Sequence, residues 1–171
     1  EDGYIQPADL TQALAKGARD KGAEIYRNTN VKGIKQNEKE NWIVETDKGS
    51  IECEHVVSCS GNFARQTGKM VGLEIPVIPV EHQYIVTEPH PEIQKRKKVG
   101  LPEMGVLRDS DTQWYMREEA GGLLLGPYEK GAPCCYVDGS SKDSEYELFQ
   151  EDLERLAPHI EGAILRVPAI G

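Results

Sequence analysis

From Pro76 onward the chain carries short runs in which apolar and polar residues alternate, punctuated by Pro, Gly and Asp. Such a pattern points to a mixed, largely antiparallel sheet. Side chains in a strand repeat every second residue. The run Ile78-Pro79-Val80-Glu81-His82-Gln83-Tyr84 therefore places His82 and Tyr84 on one face. A second run, Gln113-Trp114-Tyr115-Met116-Arg117-Glu118, alternates in the same way and carries Tyr115. Two strands that each offer an imidazole or a phenol to one cavity make the polar floor of a small-molecule site.

The strands expected in this half are His82 to Thr87, Gly105 to Arg108, Trp114 to Arg117 and Leu123 to Tyr128. A loop with Gly131, Pro133 and Gly139 follows. Glu145 to Leu156 then reads as a helix, with Tyr146, Phe149, Leu153 and Leu156 in one stripe and Pro158 as its limit. The first half is of mixed character. Pro7 to Lys21 reads as a helix with an apolar stripe of Leu10, Ala13, Leu14 and Ala18, ended by Gly22. Short strands are expected at Ala23 to Tyr26 and Val31 to Lys35. A hairpin is expected from Trp42 to Thr46 and Ser50 to Cys53 around Asp47-Lys48-Gly49. A strand over Glu54 to Cys59 should then lead into a short helix, Phe63 to Val71. The fold class is α/β, or α+β, with residues 1–75 as one domain portion and 76–171 as a second.

At 171 residues the chain is expected to form one domain or the middle of a larger one. An intact domain of this size buries about 70% of its unfolded surface. A formal net charge of −9 argues against a nucleic-acid role, which needs a basic surface. The basic cluster Lys95-Arg96-Lys97-Lys98, between Pro91 and Gly100, reads as a solvated loop, with phosphate or anionic-partner binding as the alternative. No apolar run approaches the roughly 18 residues of a membrane span. The four cysteines lack a Cys-x-x-Cys spacing, and Cys134 and Cys135 are adjacent, so neither a zinc site nor a disulfide frame is expected. Reduced thiols suit a cytoplasmic or mitochondrial-matrix setting.

Chemistry-bearing residues are few. Val56-Val57-Ser58-Cys59-Ser60-Gly61 runs from an apolar strand into a small-residue turn, which lets backbone approach a cofactor or is simply a strand-to-helix connection. His82 suits a base or a charge that orients substrate, since imidazole titrates near neutrality. The pattern equally allows a satisfied interior imidazole. Tyr115 suits a hydrogen bond to substrate or a core position. Arg108 and Arg117 are each a carboxylate clamp or an exposed strand residue. Tyr84 and Trp114 read as packing residues.

Taken together, several stretches resemble the dimethylglycine dehydrogenase and sarcosine dehydrogenase family, FAD-dependent oxidoreductases of the D-amino-acid-oxidase type. They include Asp2-Gly3-Tyr4-Ile5-Gln6-Pro7, Val56 through Ala64, Gly68 through Glu74 and Pro79-Val80-Glu81-His82-Gln83-Tyr84. They continue with Leu107-Arg108-Asp109, Trp114-Tyr115-Met116-Arg117, Leu123 through Glu129, and Leu148-Phe149 through Arg155. The order is unbroken over nearly the whole chain. The glycine-rich dinucleotide motif and the flavin-linked histidine of this branch are not in the segment, and Phe63 stands where the family usually has Trp. The chain is thus expected to be a middle piece of a longer protein, inactive by itself.

The resemblance implies part of an FAD-binding domain in residues 1–75 and a substrate-binding segment in 76–171. It implies that Val31 meets the adenine, that Ser60 and Gly61 sit near the cofactor's phosphate-ribose portion, and that His82 and Tyr115 line the amine pocket. It further implies FAD as cofactor, an N-methylated amino acid such as dimethylglycine or sarcosine as substrate, an electron acceptor, and folate in a C-terminal domain. The alternatives are a non-catalytic binding module of the same fold, or a relative acting on glycine or another amino acid.

Overall fold

A computed structural model describes residues 3–139 and 148–171. In chain order the elements are α1 (Pro7–Asp20), β1 (Val31–Gln36), β2 (Trp42–Thr46), β3 (Gly49–Cys53), α2 (Ala64–Lys69), β4 (Ile85–Val86), α3 (Pro91–Lys98), β5 (Leu107–Asp109), β6 (Trp114–Glu119), β7 (Gly122–Pro127) and α4 (Leu153–Arg166). The chain is of mixed α/β class with two antiparallel sheets, β1-β2-β3 and β4-β7-β6-β5. It divides into two compact units, Pro7–Pro79 with residues 134–139, and residues 3–6 with Val80–Pro133 and Leu148–Gly171.

In the first unit the expected hairpin forms, with Trp42 opposite Cys53 and Thr46 opposite Gly49. Its turn is tied by the Thr46 hydroxyl donating to the Gly49 carbonyl at 2.7 Å. β1 starts at Val31 and carries a bulge between Val31 and Gly33. Helix α1 forms as its caps and periodicity predict, but it buries no residue, and Leu14 of its apolar stripe is 66% exposed. Two expected strands are absent. Ala23 to Tyr26 and Glu54 to Cys59 have no ladder partner among the described residues, and Val57 is 83% exposed. An apolar run becomes a strand only when a neighbour takes up its backbone groups. The helix expected from Phe63 begins as a 3-10 turn, Gly61–Phe63, before α2.

In the second unit β6 and β7 form a tight hairpin with Trp114 opposite Pro127 and Glu119 opposite Gly122. Its loop, Ala120-Gly121, has φ of +51° and +84°, the left-handed pair that matches the strands' own twist. One face of the hairpin makes the core. Trp114, Met116, Leu123 and Leu125 bury against Ile93 of α3 and Ala163 of α4. The Trp114 indole N–H donates to Thr112 Oγ1 at 2.6 Å, so this ring is buried without a polar loss.

Three expectations are corrected here. The Lys95–Lys98 cluster is the last turn of α3 rather than a loop. His90 caps that helix by accepting from the Glu92 N–H, and Pro91 opens it. Cations at a helix C-terminus meet the negative end of its dipole, which favours the helix. The strand expected at His82 shrinks to Ile85–Val86, because only these two residues pair with β7. The last helix starts at Leu153, where Asp152 accepts from the Arg155 N–H at 3.0 Å. Residues 148–152 are not helical, and Glu145 to Glu147 lie outside the described residues. Pro158 does not end this helix but sits inside it. Proline forfeits one backbone bond there, and burial of Leu156, Gly162 and Ala163 offsets the loss.

The C-terminal end of α4 is tied to the β5–β6 turn by Arg166 Nε donating to Asp109 Oδ2 at 2.9 Å. The Thr112 N–H, then Arg166, hold the Asp109 carboxyl below its ordinary range. A lowered carboxyl stabilises the fold above about pH 3.9, and the contribution is lost as pH falls through the lowered value. Asp109→Asn should therefore lower stability at pH 7 and flatten the acid limb of a urea-denaturation series. An unchanged acid limb would contradict this assignment.

Candidate functional site

Two groups of candidate residues are built, one within each unit. In the first unit Val31 and Ser60 line one hollow of about 490 Å³. Val44, Val57, Phe63 and Met70 give it apolar walls, and the Ser58 and Ser60 hydroxyls, 2.7 Å apart, give it a polar corner. Val31 is held in place by its neighbour. The Asn30 N–H donates to Asp47 Oδ1 at 3.0 Å, and the Asp47 N–H returns a bond to the Asn30 carbonyl at 3.0 Å. Gly61 has φ +52°, and a Cβ there would meet nothing within 4 Å, so backbone approach to that turn is open. In the same wall Gln66 Nε2 is buried and makes no hydrogen bond among the described residues. Apolar walls, a hydroxyl corner, an open glycine turn and an orphaned donor fit the adenosine portion of a dinucleotide such as FAD.

In the second unit the face of the β6–β7 hairpin opposite the core carries Tyr115. Its ladder partners are Arg108 on β5 and Gly126 on β7, and directly opposed residues share a face. The Tyr115 ring lies over Gly126. A Cβ at Gly126 would come within 2.2 Å of Tyr115 Cζ, so the ring takes the space that a side chain would fill. Tyr128 stacks beside it, with centroids 5.4 Å apart and planes tilted by 46°. Burial is the main cause that raises the Tyr115 phenol above its ordinary range. Tyr128 and Tyr84 push the same way, and Arg117 pulls against them. Tyr115 thus remains a neutral donor through physiological pH. Arg117 is paired with Glu119 and covers the Tyr4 ring at 4.4 Å. Arg108 has no acid partner among the described residues.

His82 is exposed and precedes β4. Although the ladder there is short, side chains alternate in and out from Glu81 to Glu88, with His82, Tyr84 and Val86 outward. Its inward neighbours are anchored. The Glu81 N–H donates to the Pro133 carbonyl at 2.9 Å, and Glu81 Oε2 meets Arg155 Nη1 at 3.4 Å. The Gln83 amide donates to the Asp152 carbonyl at 3.1 Å and accepts from the Asp152 N–H at 3.2 Å. These bonds replace the missing ladder and turn His82 and Tyr84 outward. Tyr84 lies within electrostatic reach of Tyr115. Among the described residues no hydrogen bond joins His82 to Tyr115.

Sequence reasoning missed the hub of this arrangement. Arg155 holds Glu129, whose side chain is 3% exposed, together with Glu81 and Asp152. Burial is the largest single influence and works against the guanidinium's charge, but the hydrogen bonds that Arg155 donates to Glu129 and Glu81, with the charges of Glu129 and Asp152, together outweigh it and the Arg155 pKa rises. Nothing in the one-dimensional pattern joins positions 81, 129 and 155. It also missed Tyr128, whose signal was only the Gly-Pro-Tyr stretch after a strand. Removing one partner of a buried pair leaves the other charge stranded. Arg155→Ala should therefore destabilise the second unit by about 3 kcal/mol in urea denaturation and speed hydrogen exchange at residues 81–84. A variant with wild-type stability would show that the hub is not needed.

A family model described as FAD dependent oxidoreductase (DAO) matches residues 1–170. Mitochondrial dimethylglycine dehydrogenase of Mus musculus is 40% identical over 174 residues, covering 99% of this chain and 20% of that protein. Mitochondrial sarcosine dehydrogenase of Mus musculus is 33% identical over 175 residues, covering 99% of this chain and 18% of that protein. The chain thus spans about a fifth of the length of these curated relatives. The crystal structure of L-proline dehydrogenase from P. horikoshii superimposes with a TM-score of 0.65 at 23% identity, over 94% of this chain and 40% of that one. This likeness shows a shared fold. With the family match over essentially its whole length, the chain belongs to the FAD-dependent oxidoreductase family of the DAO type.

Proposed function

We propose that this chain is part of a flavoenzyme that oxidises N-methylated amino acids of the dimethylglycine and sarcosine class. The observation that carries the reading is Tyr115, set over Gly126 on the hairpin face opposite the core, in a chain 40% identical to a dimethylglycine dehydrogenase. The first unit's hollow would hold FAD through Val31, Ser60 and Gly61. Bound FAD supplies the acceptor for a hydride equivalent.

The remaining chemistry falls to this chain's own side chains. An amine at neutral pH is mostly protonated, and its lone pair must be freed before the C–H bond breaks. In this reading His82, outward-facing on the segment before β4, takes this proton at an imidazole nitrogen. Tyr115, kept neutral by burial, donates its phenolic hydrogen to orient the substrate. Arg108, opposite Tyr115 and with no acid partner among the described residues, takes the carboxylate end in this reading. Release of the one-carbon unit to folate in a further domain, and a mitochondrial-matrix setting like that of the relatives, belong to the same reading. No helix among the described residues is long and apolar enough to cross a membrane.

The test is turnover by the full-length protein with FAD. Dimethylglycine and sarcosine should reduce the flavin, and glycine should do so far more slowly. His82→Ala should lower kcat/KM by roughly 10²–10⁴, the range for a positioned proton-transfer group, and Tyr115→Phe, which removes only an orienting hydrogen bond, should lower it less. Arg108→Ala should raise KM about tenfold while leaving kcat nearly unchanged, since it removes binding shared by ground and transition states. A flavin-loaded protein that oxidises none of these amines would instead be a binding module.

A further inference from the structure

The second unit has a hollow of about 260 Å³ that contains none of His82, Arg108, Tyr115, Gly126 or Tyr128. It is lined by Arg96, Lys97 and Leu101 at the end of α3, by Glu118 and Glu119 beside the hairpin turn, and by Tyr4 and Glu103. Each of its three acids is already engaged. Glu103 Oε2 accepts from the Tyr4 hydroxyl at 2.7 Å. Glu118 Oε1 accepts from the Met104 N–H at 2.8 Å. Glu119 pairs with Arg117. The two cations are less well satisfied. Lys97 has no acid partner among the described residues. Arg96 donates from Nη2 to the Pro102 carbonyl at 3.0 Å, which holds the guanidinium in place. Its Nε is buried, yet makes no hydrogen bond among the described residues. Glu118 Oε1 stands 3.9 Å from that nitrogen, beyond hydrogen-bond reach. The end of α3 is closed as well. The carbonyls of Lys95, Arg96 and Lys97 already take the N–H groups of Val99, Leu101 and Gly100, in that order. A buried donor without an acceptor is costly, and native structures rarely keep one unless a water, ion or ligand completes it.

We propose that this hollow binds a small organic monocarboxylate, its carboxylate on Arg96 Nε and Lys97 and its apolar part on Leu101 and Ile93. The site is separate from the amine pocket and does not depend on that reading. The free hydrogen-bonding capacity of the hollow is cationic, so its ligand carries an acceptor and a negative charge. One charge is the limit. Counting Arg117 against Glu119, three cations stand with three acids, and a dianion would meet more repulsion than two cations offset. A planar carboxylate also matches the edge of a guanidinium, and Lys97 adds a point charge. Leu101 is 50% exposed and Ile93 offers its last accessible surface here, so an alkyl tail gains by covering both.

The test separates charge, shape and place. Butanoate, its neutral isostere butanamide, and dianionic inorganic phosphate are titrated by ligand-observed NMR against the full-length protein carrying Arg108→Ala. That background removes the carboxylate clamp proposed above from competition. Butanoate should saturate one site with a Kd of about 1 mM, the level that ligand efficiency sets for so small a molecule. Butanamide should bind at least about tenfold more weakly, for want of charge assistance. Phosphate should not displace butanoate. Arg96→Gln should weaken butanoate roughly ten- to hundredfold, the range for a hydrogen bond to a charged group. Lys97→Gln, at an exposed position, should weaken it about two- to fivefold. Because Arg96 also ties α3 to Pro102, Leu101→Asp is the companion variant. It adds a fourth acid to the wall at a half-exposed position and should abolish binding while the melting temperature holds. No saturable binding of butanoate, equal affinity for butanamide, displacement by phosphate, or undiminished binding in whichever of these variants fold overturns the proposal. Dimethylglycine turnover, present or absent, bears only on the function proposed above.

Discussion

The antiparallel pairing of β6 with β7 is the constraint on which the second unit depends. Its left-handed Ala120-Gly121 turn sets the register, and a one-residue slip would exchange its two faces. In the observed register Trp114, Met116, Leu123 and Leu125 are buried, and the same ladder delivers Tyr115 beside Arg108 and Gly126 on the other side. The core and the candidate site are thus two outcomes of one set of backbone hydrogen bonds. Burial of four large apolar side chains opposes any shift of the polar face, because moving Tyr115 along the ladder would expose Trp114.

A second layer of order comes from polar clamps rather than from ladders. Residues 81–84 follow an extended course with almost no strand pairing, yet their side chains still alternate. Arg155 and the paired Gln83–Asp152 bonds replace the sheet neighbour there. These contacts link three distant parts of the chain, and each link is a charged or amide group with a specific geometry. Such a segment is ordered by a few directional bonds. It is also where a single substitution would be felt at His82 and Tyr84 without disturbing the apolar core.

The first unit works differently. Its hollow is framed by a β-hairpin, a bulged strand start and an unpaired apolar segment that ends at Ser60 and Gly61. Exposed Val57 is one of the apolar side chains that line this hollow. The chain belongs to an FAD-dependent family, and the Ser58–Ser60 corner with the open Gly61 turn is the physical basis of the FAD site proposed there.

Local pattern alone determined much of this molecule. The Trp42–Cys53 hairpin, α1, β6 and β7 follow from period, turn chemistry and caps, all of which act within a few residues. The helix signals of His90, Pro91 and the basic last turn were equally present, but a run of four cations was weighed as solvated charge instead of as a favourable C-terminus. Strand period also put His82 and Tyr84 on one face, and both side chains are outward. Only the tertiary structure decided which apolar runs would be strands, because pairing needs a partner distant in sequence, and Glu54 to Cys59 found none. It alone let α4 run through Pro158, where packing outweighs a lost backbone bond. It alone gathered Arg155, Glu129, Glu81 and Gln83 around the His82 segment and stacked Tyr128 on Tyr115. Such contacts depend on distances across the fold, and no one-dimensional pattern encodes a distance between residues far apart along the chain.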